Sequence, residues 1–300
     1  MRTIGRIVLL LAALVLPATA FAQTSIEARF APGQPPVVIA HRSNWGGYPE
    51  DSLAAIAYAL DLGVDMISVE VQMTGDSQYV LMHDPTLNRT TNVEAVYPQG
   101  APGGPSRQQR AGRDFIRDYT LAEIRKLELT DGTDGGQHRI PTLDEALDLI
   151  GSKALVDLNL KMYGTDTLAE LLNARDKSNL IFFDILYSDP TVLGDISAAT
   201  GIRAMIALGD SRDYVSDIDK LAKGLGDRLA MVAVRTQKLT PEVFEKARQL
   251  GVWICIAGAV GEDTALYHDN DPEPWRRAAN SGANALMTNY PEELLRALGR

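Results

Sequence analysis

Short runs of apolar and β-branched residues alternate along the chain with amphipathic stretches. Eight of these runs predict strands, at residues 37–40, 66–72, 154–161, 180–185, 203–208, 230–234, 252–257 and 285–288. Between most of them the apolar positions recur at helical spacing, most clearly over 50–62, 142–150, 166–176, 240–250 and 272–281. Because strands joined by helical crossovers lie parallel, and eight of them close a ring, we predict a (β/α)₈ TIM barrel. An open doubly wound sheet is the alternative, but the segment HRSNWGG (41–47) lacks the glycine spacing of a dinucleotide-binding turn.

A ninth apolar run at 79–83 follows the second strand too closely for a helix to lie between them. The pattern therefore predicts an inserted β-hairpin over 66–83 with a tight turn at 74–77. With a two-residue turn at 75–76, Glu70 opposes Leu81 and Ser68 opposes His83. This register places His83 on the same face as Glu70, one diagonal step away.

Residues 85–140 interrupt the alternation a second time. They are rich in Gly, Pro, Arg and Gln over 98–113, with one short helical pattern near 120–128. We expect a loop and short-helix insertion on the barrel, without a core of its own and most mobile over 92–115. It is either a disordered surface loop or a lid over a site.

The first 22 residues have the pattern of a secretory signal peptide. Arg2 and Arg6 precede an apolar run over 7–17, and Ala20-Phe21-Ala22 forms a cleavage site. An uncleaved anchor is the alternative, although the run is shorter than the roughly 20 residues of a spanning helix. We therefore predict a periplasmic or secreted protein, with residues 23–300 as a single domain and no transmembrane segment in the mature chain.

Composition narrows the classes of function. The 300-residue chain has 29 basic and 39 acidic residues, a net charge of −10, which argues against a nucleic-acid partner. Its single cysteine excludes an intramolecular disulfide, and four histidines with one cysteine leave little for a Cys/His zinc site. Cys255 lies in an apolar run, where a packing role is expected.

Polar residues gather where the predicted strands end, which is where barrels carry their chemistry. The inward-facing candidates are His41, Arg42, Glu70, Gln72, Asp157, Asn159 and Lys161, with His83 added by the hairpin. Two imidazoles across a bound oxyanion suit general acid–base phosphoryl chemistry, with Arg42 and Lys161 stabilising the phosphate charge. Glu70 can hold a divalent metal or orient a histidine. Arg235 is a further phosphate candidate, with a surface salt bridge as its alternative.

The sequence resembles the glycerophosphodiester phosphodiesterase family, a relative of phosphatidylinositol-specific phospholipases C. The segments that carry the resemblance are HRSNWGGYPEDS (41–52), SVEVQMTGDSQYVLMHDPTLNRTT (68–91), RIPTLDEALDLI (139–150), NLK (159–161) and GANALMTNYPEEL (282–294). The resemblance implies a TIM barrel and metal-assisted cleavage of a phosphodiester. By the family pattern His41 and His83 are the acid–base pair and Arg42 contacts phosphate.

The chain departs from the family pattern at the expected metal ligands. Glu70-x-Gln72 replaces Glu-x-Asp, Asn159-x-Lys161 replaces Glu-x-Lys, and Asn289 replaces the aspartate of TD-x-P. Amide oxygens can bind Ca²⁺ or Mg²⁺ but bring no charge, so we expect a weakened metal site at Glu70, Gln72 and Asn159, or none. Asp157 is a compensating ligand or a buried barrel residue.

The polar residues at the strand ends predict phosphoryl chemistry, and the resemblance implies hydrolysis of a small-molecule or lipid-derived phosphodiester, giving a glycerol phosphate and an alcohol. Two alternatives stay open: a metal-independent lyase in which a cation replaces the metal, and a non-catalytic barrel that binds a phosphorylated ligand. The pair of histidines favours an enzyme over a simple binding protein.

Overall fold

The computed structural model describes residues 25–42, 45–185, 189–258 and 261–300. The predicted signal peptide lies outside the described residues. The strands within them are β1 (Val37–Ala40), β2 (Met66–Met73), β3 (Tyr79–Leu81), β4 (Leu155–Leu160), β5 (Leu180–Ile185), β6 (Ala204–Ala207), β7 (Leu229–Val234), β8 (Trp253–Ala257) and β9 (Ala285–Thr288).

Helices follow most of these strands. They are α1 (Ile26–Arg29), α2 (Leu53–Leu62), α3 (Val93–Val96), α4 (Leu121–Ile124), α5 (Leu143–Ile150), α6 (Thr165–Asn173), α7 (Gly194–Thr200), α8 (Tyr214–Leu225), α9 (Pro241–Leu250), α10 (Glu262–His268), α11 (Glu273–Ala279) and α12 (Pro291–Ala297). Short 3₁₀ turns lie at Trp45–Gly47, Ile116–Asp118, Gly226–Arg228 and Thr236–Lys238. Within the described part of the chain, no helix combines the length and apolar character needed to cross a membrane.

Eight parallel strands form the closed ring of a TIM barrel. The order around it is β1, β9, β8, β7, β6, β5, β4 and β2, and β2 pairs with β1 to close it. The ninth strand, β3, lies outside the ring and pairs antiparallel with the last residues of β2. The (β/α)₈ prediction is confirmed, including the position of every predicted strand within one or two residues.

Successive strand residues point alternately outward and inward, which gives the barrel two separate apolar cores. Outward residues such as Ile67, Val69 and Val71 of β2 pack against the helices. Inward residues low in the barrel, such as Ile39, Met66 and Cys255, form a second apolar core, so Cys255 is buried as predicted. Above that core the inward positions become polar, and the barrel therefore carries its polar groups at the carboxyl ends of the strands.

The predicted hairpin register is wrong by one residue. Val71 pairs with Leu81 and Met73 with Tyr79, because the turn contains three residues rather than two. Ser77 adopts a left-handed conformation (φ 60°), and its N–H donates to the carbonyl of Thr74. The strand ends at Leu81, so the position of His83 is set by the loop that follows and not by the ladder.

The insertion over 85–140 has a core of its own, contrary to the prediction. Its buried apolar residues are Leu87, Val93, Ala101, Ile116, Tyr119, Ile124, Leu127, Leu129 and Ile140, packed with Val80 and Met82 of the hairpin. The segment around Arg107 is held as well: its guanidinium donates to the carbonyl of Tyr97 and to the buried Asp114. The short helix expected near 120–128 is α4, which a capping box at Thr120 and Glu123 begins.

Candidate active site

Glu70 is the centre of the polar group at the mouth of the barrel. It lies on β2 in register with Asn159 of β4, and its side chain is fully buried. The Nζ of Lys161 lies 3.1 Å from one carboxylate oxygen, and the Nε2 of His41 lies 3.8 Å from the other. A buried carboxylate in this position balances the charge of the lysine and favours the protonated form of the histidine beside it.

His41 follows β1, and it is held by residues at the end of the neighbouring strand β9. The backbone N–H of His41 donates to the carbonyl of Thr288, and the ring Nδ1 lies 2.9 Å from Oδ1 of Asn289. Since an amide oxygen only accepts, this contact fits a ring protonated on Nδ1, with Nε2 facing Glu70. Burial lowers the pKa of His41, although the charge of Glu70 opposes that effect. The imidazole is therefore neutral near pH 7 and available as a base.

Asn289 is itself fixed by a buried aspartate. Asp263 of α10 accepts hydrogen bonds from the N–H of Asn289, the hydroxyl of Thr288 and the indole N–H of Trp275. These bonds hold the end of β9 against α10, so the amide that contacts His41 has a defined position. Sequence reasoning noted Asn289 as a departure from the family pattern but did not foresee its contact with His41, 248 residues away along the chain, and it missed Asp263.

The backbone around His83 is hydrogen-bonded to residues at the same end of β2. The N–H of Met82 donates to the carbonyl of Glu70, and Gln72 Nε2 lies 3.4 Å from the carbonyl of His83. The Nδ1 of His83 contacts Oδ1 of Asp84 at 2.7 Å. Among the described residues its Nε2 has no partner, so that nitrogen remains for a ligand.

Arg89 connects the His83 loop to the segment after β1. Its Nε donates to Asp84 at 2.6 Å, and its two terminal nitrogens donate to the two carboxylate oxygens of Glu50. The hydrogen bond from Arg89 lowers the pKa of Asp84 to about 2, and the bonds to Glu50 raise the pKa of Arg89. Asp84 is therefore ionised and accepts a hydrogen bond from Nδ1–H of His83. The motif HDPTLNRTT marked this segment, but the clamp on Glu50 was not foreseen.

The predicted phosphate ligands differ in their surroundings. Arg42 is exposed beside His41 and has no carboxylate partner within the described ranges. Lys161 is engaged with Glu70, with about a quarter of its side chain exposed. Arg235 pairs with Asp210 on the rim at 2.6 Å, and its recorded contacts do not reach the Glu70 group. Its geometry matches the alternative interpretation, a surface salt bridge.

The residues expected to hold a divalent ion fit it poorly. Glu70 is already engaged by a lysine, and the amide nitrogen of Gln72 points to the carbonyl of His83. Asn159 brings an uncharged amide into register with Glu70. Among the residues that the structure describes, no three His, Cys, Asp or Glu groups are arranged to hold a metal ion. One carboxylate with two amides and a nearby ammonium is a weak donor set for Ca²⁺ or Mg²⁺.

Two further buried carboxyl groups, those of Asp157 and Asp51, lie close to Glu70. Burial raises the pKa of Asp157 well above its usual range, and it lies in register with Ser68 one step beneath Glu70. Burial also raises the pKa of Asp51, whose Oδ1 accepts from the N–H of Glu70. Raised pKa values favour protonated, uncharged carboxyls, which spares the site additional negative charge. Asp51 adopts φ 56°, a conformation that Asp and Asn tolerate better than most residues.

Comparison with known proteins adds to this geometry. The model of the glycerophosphoryl diester phosphodiesterase family matches residues 41–293, most of the chain and every strand after β1. The chain belongs to the glycerophosphoryl diester phosphodiesterase family. The resemblance inferred from the motifs is thereby confirmed.

Individual relatives within the family match shorter stretches. The glycerophosphodiester phosphodiesterase of Caldanaerobacter subterraneus is 38% identical over 128 residues, 42% of this chain and 45% of that protein. The one of Bacillus altitudinis is 29% identical over 127 residues, 42% of this chain and 44% of that protein. The matches therefore span less than half the length of these relatives.

Solved structures of the family share the fold. A glycerophosphoryl diester phosphodiesterase from Parabacteroides distasonis superposes with a TM-score of 0.70 at 23% identity, covering 90% of this chain and 88% of that one. A phosphodiesterase from Oleispira antarctica, solved with the product sn-glycerol-3-phosphate, has a TM-score of 0.64 at 21% identity and covers 89% and 98%. At these identities the likeness establishes the barrel and its closure.

Proposed function

We propose that the chain is a phosphoric diester hydrolase that splits a glycerophosphodiester into a glycerol phosphate and an alcohol. The observation that carries the proposal is a pair of histidines in unlike settings at the strand ends beside Glu70. His41 is a largely buried imidazole whose pKa is lowered by desolvation, whereas His83 contacts the ionised Asp84. Family membership supports the class of reaction.

His41 acts as the general base in this proposal. Its Nε2 takes the proton of the attacking water as the new O–P bond forms. If a hydroxyl of the substrate attacks first, the resulting cyclic phosphate is opened by water in a second step, which gives the same glycerol phosphate. Asn289 keeps the tautomer in which Nε2 is the acceptor, and Glu70 stabilises the imidazolium that results.

His83 acts as the general acid in the same step. The bond from phosphorus to the alcohol oxygen breaks, and His83 Nε2 delivers the proton that the leaving alkoxide needs. Asp84 orients the ring through Nδ1, and Arg89 holds Asp84 in place. Arg42 and Lys161 bind the phosphoryl oxygens, whose charge grows in the transition state.

A lyase that releases a cyclic phosphate is the second candidate. The observation that favours it is the loss of carboxylates at Gln72 and Asn159, which leaves Glu70 paired with the ammonium of Lys161 at 3.1 Å. The family pattern has the same lysine, but with carboxylates at both of those positions. In that reaction a hydroxyl of the substrate attacks phosphorus and no water is consumed. Phosphorus NMR of the products separates the two, since cyclic and open phosphates resonate apart.

Substitution of the histidines tests the proposal. His41→Ala and His83→Ala should each lose at least about 10²-fold in kcat with an unchanged melting temperature, the usual loss for a general acid or base. His138→Ala is the matched control, because His138 pairs with Asp134 on the insertion, away from Glu70. A double variant that retains the turnover of the intact protein would refute the acid–base assignment.

A further inference from the structure

A pocket of about 780 Å³ lies between α9 and α11, outside the ring of strands. Phe244 of α9 and Pro274 and Ala278 of α11 form part of its apolar lining, and we call it the α9–α11 pocket. Its volume lies within the range of small-molecule sites. Neither Glu70 nor His41 lines it, so the pocket is separate from the candidate active site.

Two polar atoms in the lining are buried without a hydrogen-bond partner. Glu262, the first residue of α10, is 4% exposed and lines the pocket together with Thr236. Among the described residues, neither Oε2 of Glu262 nor Oγ1 of Thr236 has a hydrogen-bond partner. A buried carboxylate oxygen without a partner is unfavourable, and a hydrogen-bond donor inside the pocket would relieve this.

The positive charges of the lining are closer to solvent than Glu262 is. Arg248 pairs with Glu245 at 2.8 Å, and 74% of its side chain is exposed. Arg277 is an exposed residue of α11. Within the described ranges, neither guanidinium pairs with Glu262. The buried part of the pocket therefore combines apolar walls with a carboxylate, and its exposed part carries the cations.

We propose that the α9–α11 pocket binds a small organic ammonium with an apolar body. The ammonium donates to the carboxylate of Glu262, and the apolar body packs against Phe244 and the side chains of α11. A charged donor balances the carboxylate as well as satisfying it, so it forms a stronger hydrogen bond there than a neutral donor does. An anion would be repelled by the same carboxylate, unless its charge stayed outside at Arg277.

The residue after Glu262 belongs to the network that positions His41. Asp263 accepts hydrogen bonds from the indole N–H of Trp275 in α11 and from the N–H of Asn289, whose side chain contacts His41. Burial raises the pKa of Asp263, and the charge of the adjacent Glu262 adds to this rise. An ammonium that neutralises Glu262 therefore acts on the group that fixes Asn289. We expect the ligand to alter turnover, and this part of the inference rests on the proposed function.

Equilibrium binding tests the pocket without any turnover. The probes 4-phenylbutylamine, 4-phenylbutan-1-ol and 5-phenylpentanoate share one apolar body and differ in the charge of the end group. Each is titrated into the full chain and followed by NMR. The amine should bind at least about tenfold more tightly than the alcohol, as expected for a hydrogen bond to a charged group, and the carboxylate should bind most weakly.

Variants of two glutamates locate the binding site. Glu262→Gln should reduce the preference for the amine over the alcohol to about twofold or less. Glu242→Gln is the matched control, because Glu242 is an exposed charge on α9 outside the lining, and it should leave the preference unchanged. An alcohol that binds the intact protein as tightly as the amine would refute the site. Tighter binding of the carboxylate would also refute it and would place the charged end at Arg277.

Hydrolysis of glycerophosphocholine tests the link to His41. A saturating concentration of the amine should change kcat at least about twofold in the intact protein and leave it unchanged in Glu262→Gln. An identical kcat with and without the amine would refute the link. Absence of any hydrolysis would overturn the proposed function, while the titration would still decide whether the pocket binds an ammonium.

Discussion

Replacing Lys161 by methionine should destabilise the barrel, because Glu70 would then be a buried carboxylate without its nearest cation. Nζ of Lys161 lies 3.1 Å from Oε2 of Glu70, and the Glu70 side chain is fully buried. At that distance and an effective dielectric near 20, the gross Coulomb energy is about 5 kcal/mol. Breaking a buried pair costs about 3–5 kcal/mol, and the quarter of Lys161 that is exposed screens part of this. We expect a loss of about 2–4 kcal/mol in the free energy of unfolding.

The opposite substitution should cost much less. In Glu70→Gln the orphaned Lys161 can turn its ammonium towards water, so we expect a loss of about 1 kcal/mol or less. The double variant Glu70→Gln/Lys161→Met should recover most of what Lys161→Met loses, because no buried charge remains. The difference between the single and double variants measures the coupling directly.

Urea denaturation at pH 7 is the assay, with tryptophan fluorescence and circular dichroism followed together. With a slope of about 3 kcal/mol per molar urea, Lys161→Met should lower the midpoint by roughly 1 M. Lys153→Met is the matched control, since Lys153 is exposed and its ammonium donates to the carbonyl of Leu149 and pairs with no carboxylate among the described residues. Equal destabilisation by Lys161→Met and Lys153→Met, or a double variant as unstable as Lys161→Met, would refute the coupling.

Three other changes have defined outcomes. Gln72→Asp with Asn159→Glu should raise Ca²⁺ or Mg²⁺ affinity by several kcal/mol in calorimetry, because ligand charge tunes such sites; unchanged affinity would contradict the charge argument. Asp84, with its pKa lowered to about 2, should contribute stability above pH 4 that is lost as the pH falls towards 2, and Asp84→Asn should abolish that portion of the acid transition. Deleting residues 99–113 should lower the melting temperature by at least about 5 °C, since the buried Asp114 loses Arg107; an unchanged melting temperature would show that the segment is dispensable.

The barrel was predictable because its signal is local and periodic. Strands such as Met66–Met73 alternate inward and outward residues, and the inward polar positions Glu70 and Asn159 were identified from that alternation alone. The hairpin register was not, because it depends on one residue: Ser77 in a left-handed conformation adds a third residue to the turn. Nothing in the letters TGDS requires that conformation.

Long-range contacts explain the rest of what sequence reasoning missed. The core of the insertion joins residues without a helical or strand period, from Leu87 to Ile140, so its composition resembled a loop. Arg89 reaches back 39 residues to Glu50, and His41 is bound to a residue 248 positions away. Pairings of this kind join residues that are far apart along the chain, and they have no signature in a single sequence.

The most direct test of the account is hydrolysis of glycerophosphocholine by the purified protein, followed by phosphorus NMR with and without a chelator. The account predicts a glycerol phosphate and choline as products, at a rate that chelation changes little, because the proposed mechanism assigns the phosphate charge to Lys161 and Arg42 and not to a metal ion. Complete loss of turnover in chelator, restored by Ca²⁺ or Mg²⁺, would contradict that role for the two cations. Intact substrate under every condition would contradict the proposed activity itself.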